Sequence, residues 1–149
     1  MSEQLTLSPR QRQDLCTIAA MIVPASEEYR VPGADDGVIQ ADILATLGRD
    51  TRLVVAALEH LARLAGMPLA DLAPAARDGV AQEFRKHGGV AAATLVRVVL
   101  QCYYRDDRVL RSLGIEQRTP FPKGHVLPDG DWTLLDPVKA RGGALRRAP

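Results

Sequence analysis

Apolar side chains along this chain recur at intervals of three and four, not two. The first such run holds Leu15, Ile18, Ala19 and Ile22, the spacing that lines one face of an α-helix. Its start carries Ser8 as a cap, Pro9 at the first helical position and Gln11 to complete a capping box. Pro24 ends the run, because proline donates no N–H and its ring clashes with the preceding turn. A loop through Pro32-Gly33-Ala34-Asp35 leads to a second helix, capped by Asp35 or Asp36, with Ile39, Ile43, Leu44 and Leu47, and ended by Gly48. A third opens at Asp50 or Thr51, places Val54, Ala57, Leu58, Leu61 and Leu64 on one face, and stops at Gly66. Met67-Pro68-Leu69 reads as a turn or short helix.

Pro74 to His87 predicts a further helix with Val80 and Phe84 inward, and Gly88-Gly89 stops it. Val90 to Arg105 is the most apolar helix, with Ala91, Leu95, Val98, Val99 and Cys102 toward the core. Asp107 is expected to cap a short helix with Val109, Leu110 and Leu113, closed by Gly114. No stretch alternates long enough for a strand, and Val126-Leu127 offers an isolated bridge at most. The expectation is an all-α protein, a single helical bundle of about five or six helices spanning 1–118.

From 119 to 149 the pattern changes into an extended, Pro-rich C-terminal arm. Pro120, Pro122, Pro128 and Pro137 block regular helix. Phe121, Val126, Leu127, Trp132, Leu134 and Leu135 nevertheless load the arm with apolar surface. Such a segment either wraps back over its own bundle or docks on a partner chain through its ring anchors. Beyond Pro137 come Lys139, Arg141, Arg146 and Arg147 with no acid, a solvated tail.

Composition narrows the function classes. At 149 residues, 46% apolar and 25% charged, the chain is of ordinary globular make-up and single-domain size. Nineteen Lys and Arg against 18 Asp and Glu give a net charge of +1. That offers no bulk field for nucleic acid, so none is expected as a partner, despite the arginine-rich tail. The longest apolar stretches, Leu53 to Leu58 and Val90 to Val96, fall short of the roughly 20 residues of a membrane span, so direct membrane insertion is not expected. Cys16 and Cys102 are the only cysteines and lie far apart, with neither metal-ligand nor disulfide-framework spacing.

No catalytic constellation emerges from the residues. His60 falls beside Glu59 on an exposed helix face, His87 at a helix C-terminus that favours a cation, and His125 in the arm. The pairs Asp35-Asp36 and Asp106-Asp107 precede helices, where capping accounts for them. Glycine-rich phosphate loops, a nucleophile elbow and a haem-attachment motif are all missing, and no cofactor of its own is expected. Of Tyr103 and Tyr104, one ring should pack inward while its neighbour, about 100° around the helix, faces a partner or the arm. A stand-alone enzyme would have to use Tyr103, Tyr104 and His125 as an acid–base cluster.

The run Tyr103-Tyr104-Arg105-Asp106-Asp107-Arg108-Val109, leading to Leu113-Gly114, resembles the YY-x-D-x-R-V junction of the gluconate 2-dehydrogenase subunit 3 family. Pro120-Phe121-Pro122-Lys123-Gly124 is similar to that family's P-x-P-x-G segment, and Leu134-Leu135-Asp136-Pro137-Val138 to its ending. Leu7 to Arg12, Ile22 to Pro24 and Pro32 to Val38 match its opening motifs in order. The resemblance implies a small, all-helical, non-catalytic subunit. Its partner would be a large FAD-dependent oxidoreductase subunit of the glucose-methanol-choline type, which oxidises a sugar or alcohol carbon. The small chain would bind and stabilise that subunit in a hetero-oligomer, with the FAD held by the partner. The residues expected to bind it are Tyr103, Tyr104, Pro120, Phe121, Pro122, His125, Trp132, Leu134 and Leu135. Many family members carry a twin-arginine leader. None precedes the first helix here, so the expected location is the cytoplasm, or the periplasm if a leader has been removed.

Overall fold

The computed structural model describes residues 6–117 and 129–141. The protein is all-α: among the described residues there are seven α-helices and no strand. The chain divides into two compact units, with the boundary between Gln117 and Arg118.

The first unit holds α1 (Pro9–Ile22), α2 (Gly37–Thr46), α3 (Thr51–Ala65), α4 (Pro74–His87), α5 (Gly89–Tyr103) and α6 (Asp107–Ser112). Helix α1 begins as its sequence dictates. The Ser8 hydroxyl accepts the Gln11 N–H at 3.2 Å, and the Gln11 side chain accepts the Ser8 N–H at 2.9 Å. Helix α3 ends at Gly66, whose φ of 71° is the left-handed conformation that glycine adopts without a Cβ penalty.

Helix α3 is the central element, packed chiefly against α5 and α4, while α2 packs on α5. Leu58, Leu61, Leu95 and Val99 are buried at this crossing, and Leu15, Ile39, Ile43 and Val109 bring α1, α2 and α6 into the same core. No helix among the described residues is long and apolar enough to cross a membrane.

One buried acid holds α1 in place. Asp14 faces inward, 4% exposed, and its carboxylate accepts the Ala70 N–H at 2.8 Å. That N–H belongs to a 3-10 turn, Leu69–Asp71, whose own Leu69 is fully buried. Arg77 donates to the carbonyls of Leu72 and Ala70 at 2.9 and 3.0 Å, and Arg10 pairs with Asp71. A buried polar group needs such a partner, because losing one exposes the full desolvation cost.

Several local expectations are corrected. Leu47 caps α2 instead of lying within it, whereas Gly48, at a φ of 45°, ends the helix as expected and opens a 3-10 turn, Gly48–Asp50, that runs straight into α3. Leu64 is 39% exposed, since it lies at the edge of the apolar stripe. On α5 the buried residues are Ala92, Thr94 and Tyr103 beside Leu95, Val98, Val99 and Cys102, while Ala91 is only partly covered. Asp106, not Asp107, caps α6, accepting the Arg108 N–H at 2.9 Å. His60 is half-buried against Phe84, with ring centroids 5.8 Å apart, instead of lying on an open face. Ser26 and Val31 form an isolated antiparallel bridge, closed by Arg30 at a φ of 53°. The expected Val126-Leu127 bridge lies outside the described residues.

In the second unit, Asp131 caps a 3-10 turn, Trp132–Leu135, by accepting the Thr133 N–H at 3.0 Å. Helix α7 (Asp136–Ala140) follows directly, so this stretch of the arm is not extended; Pro137 does not block the helix, because it sits in the first turn, where its missing N–H would have no partner anyway.

Candidate functional site

Three stretches meet at one junction: Ile22 to Pro24 and Pro32 to Val38, on either side of one short loop, and, distant from both in sequence, Tyr103 to Val109. The first two are joined by the backbone, where the Ala34 N–H donates to the Val23 carbonyl at 2.8 Å. The Ala34 carbonyl in turn accepts from the Gln40 side chain at 2.8 Å, and Ala34 has no exposed surface. Gly33 is required for this approach. A Cβ there would lie 2.3 Å from an Asp35 carboxylate oxygen and 2.9 Å from the Ala25 nitrogen. Gly33→Ala is therefore expected to cost about 1–2 kcal/mol, as overpacking does. A urea midpoint equal to that of the parent would contradict this reading.

The third stretch joins through Arg108. Its guanidinium donates to Asp36 at 2.7 and 3.2 Å, and to Asp106 at 2.9 and 3.0 Å. Asp36 also caps α2 through the Val38 N–H, and Asp106 caps α6. One arginine thus bridges the caps of two helices. Its hydrogen bonds hold both carboxyls below the usual carboxylate range, and both acids raise the guanidinium. Arg105 makes a parallel tie from the end of α5, donating to Asp42 at 2.7 Å and to the Thr46 hydroxyl at 3.1 Å. Cys102 lies beneath it, 3.5 Å from both Thr46 and Arg105, and burial pushes its thiol up. Burial also raises the Cys16 thiol, whose Sγ stands 3.7 Å from the Asp35 carbonyl. Neither thiol is thereby activated as a nucleophile.

The tyrosine pair divides as its helical offset requires. Tyr103 is 4% exposed and belongs to the core, with its phenol raised by burial. It is therefore corrected from a partner-facing residue to a packing residue. Tyr104 is 53% exposed, and its ring meets Tyr103 edge to face at 5.2 Å. Trp132, Leu134 and Leu135 fall together in the 3-10 turn of the second unit. Pro120, Phe121, Pro122 and His125 lie outside the described residues, and with them the acid–base cluster that a stand-alone enzyme would need.

Two concavities flank the junction. A shallow one of about 550 Å³ is lined by Val38, Asp42, Cys102, Arg105 and Arg108. A larger groove of about 1060 Å³ runs between α1, α4 and α5, with Met21, Ile22, Phe84, Val96 and Leu100 on its walls. Among the described residues no three His, Cys, Asp or Glu side chains gather as metal ligands would. The arginines at the junction are each saturated by acids of the same chain, so the junction acts as a scaffold. Sequence reading offered Asp35 or Asp36 as the cap of α2 and Asp107 as that of α6, and missed Arg108, Arg105 and Asp42. The alternation of charge in Arg105-Asp106-Asp107-Arg108 was the available signal. The chain matches no protein-family model, and comparison with curated proteins and with solved structures returns no match either.

Proposed function

We propose that the protein is a non-catalytic small subunit that binds and stabilises a large FAD-dependent oxidoreductase of the glucose-methanol-choline type, acting on sugars or alcohols. The family resemblance brings that reading forward, and one observation supports it. Three of the six motifs it rests on, Ile22 to Pro24, Pro32 to Val38 and Tyr103 to Val109, meet at a single junction, in which Gly33, Asp36, Asp106, Arg108 and Val109 each have a defined packing or hydrogen-bonding task. The first two lie on either side of one short loop, but Asp36 and Arg108 meet from 72 positions apart, which chance matches have no reason to do. The junction leaves Tyr104 outward, and Leu113 and Ile115 beyond α6 are also more than half exposed. Exposed apolar anchors of this kind suit a partner surface. The FAD and the redox chemistry belong to the partner in this reading.

Co-expression with a large flavoprotein chain encoded beside it tests the proposal. The two should co-elute on size exclusion, and the soluble yield of the flavoprotein should rise. Tyr104→Ser should weaken co-elution while leaving the small chain folded. Separate elution with unchanged flavoprotein solubility and activity would refute the assignment.

A further inference from the structure

A second site lies away from the junction, where the entry to α1, the end of α2 and the start of α3 enclose a pocket of about 430 Å³. Arg12, Arg49 and Arg52 line it, with Thr6 at its edge and Leu44 and Leu47 as apolar wall. Among the described residues no acidic side chain lines it. Four other arginines are each neutralised by an acid of the chain. Arg10 pairs with Asp71, Arg97 with Asp50, Arg105 with Asp42, and Arg108 with Asp36 and Asp106. Arg49 and Arg52 form no ion pair among the described residues. Arg12 uses only its Nε, donated to the Leu7 carbonyl at 3.2 Å, so both terminal amino groups remain available. Asp50, between the two other arginines in sequence, is directed to Arg97 at 2.8 Å and does not line the pocket.

Three like charges around one concavity repel one another unless an anion joins them. Guanidinium forks match the paired oxygens of a phosphate, and several together suit a dianion better than a single carboxylate. The leucine wall has room for the carbon body of an ester, and the volume lies within the roughly 300–1,000 Å³ of small-ligand pockets. We infer that this arginine-lined pocket binds the phosphate group of a phosphate monoester, supplied either by a soluble ester or by a lipid headgroup. The inference is independent of the subunit assignment.

Two probes on the full chain distinguish the sources. Glycerol 3-phosphate is titrated calorimetrically, and phosphatidylcholine vesicles containing phosphatidic acid are used in co-sedimentation. Each is repeated with Arg49→Gln, Arg52→Gln and the distant control Arg63→Gln. All three side chains are exposed, so folding is retained and circular dichroism should be unchanged. Binding of glycerol 3-phosphate assigns a soluble ester, and binding of the vesicles alone assigns a lipid. In either case each pocket variant should weaken binding about tenfold, the control should not, and added salt should weaken it further. Failure of both probes to bind, or equal binding by the pocket variants and the parent, would overturn the inference.

Discussion

Leu61→Ala is expected to destabilise the bundle by about 3 kcal/mol, within the range for leucine truncation at a fully buried site. Leu61 has no exposed surface and sits on α3, the helix that touches α1, α4 and α5. Those elements are fixed by other contacts, so they cannot close the gap. The loss then includes a cavity term beside the lost transfer energy. For a unit of this size the melting temperature should fall by about 10 °C. The comparison that gives the number meaning is Leu64→Ala, one position along the sequence stripe but 39% exposed. That change should cost about 1 kcal/mol or less, because the removed atoms are already partly in water. Equal losses for the two variants, measured by urea unfolding, would show that α3 is rotated from the orientation described.

The contrast between Leu61 and Leu64 marks how far periodicity reads a fold. A spacing of three and four identifies the apolar face, and Val54, Ala57, Leu58 and Leu61 are buried as it requires. It does not say how wide the covered face is, which depends on the neighbours that tertiary packing supplies. The same limit explains Ala91 and Ala92, adjacent small residues whose burial is decided by where α5 meets its neighbours. Helix starts were legible where side-chain chemistry acts locally, as at Ser8 and Asp36. They were misplaced by one residue at α6, where either of two aspartates suited the cap and Arg108 selected Asp106.

The junction was less legible, because its bonds span long separations in sequence. Asp36 and Arg108 lie 72 positions apart, and Asp42 and Arg105 lie 63 apart. Local reasoning gave Asp36 a cap to make, as one of two candidates, and stopped there, while Asp42, inside α2, offered no local signal. A carboxylate has two oxygens and several lone pairs, so a cap leaves it capacity for a second partner. Asp14 was hidden for a different reason. An acid on the inward face of a helix contradicts the hydrophobic pattern unless a remote backbone N–H meets it, and Ala70 does so 56 positions away.

Arg108→Gln should reveal what the junction contributes. An exposed ion pair is worth under about 1 kcal/mol, but this arrangement differs in two ways. The Asp106 side chain is only 9% exposed, and Arg108 engages two carboxylates at once. Hydrogen bonds to charged groups contribute about 1.5–3 kcal/mol, and the arginine itself is 39% exposed, which reduces that through screening. A loss of about 2 kcal/mol at pH 7 follows. The pH dependence has a definite sign. Arg108 lowers both carboxyls in the folded chain, so their stabilisation is fully present above the unfolded aspartate value near about 4. It is lost as pH falls through the folded values, where protonation removes the charge that Arg108 binds. The parent and Arg108→Gln should therefore differ most at neutral pH and converge as pH falls through the lowered carboxyl values, with the parent showing the steeper acid limb. A gap that stays constant from pH 7 to pH 2 would mean that Arg108 acts through packing of its aliphatic stem, not through its two acids.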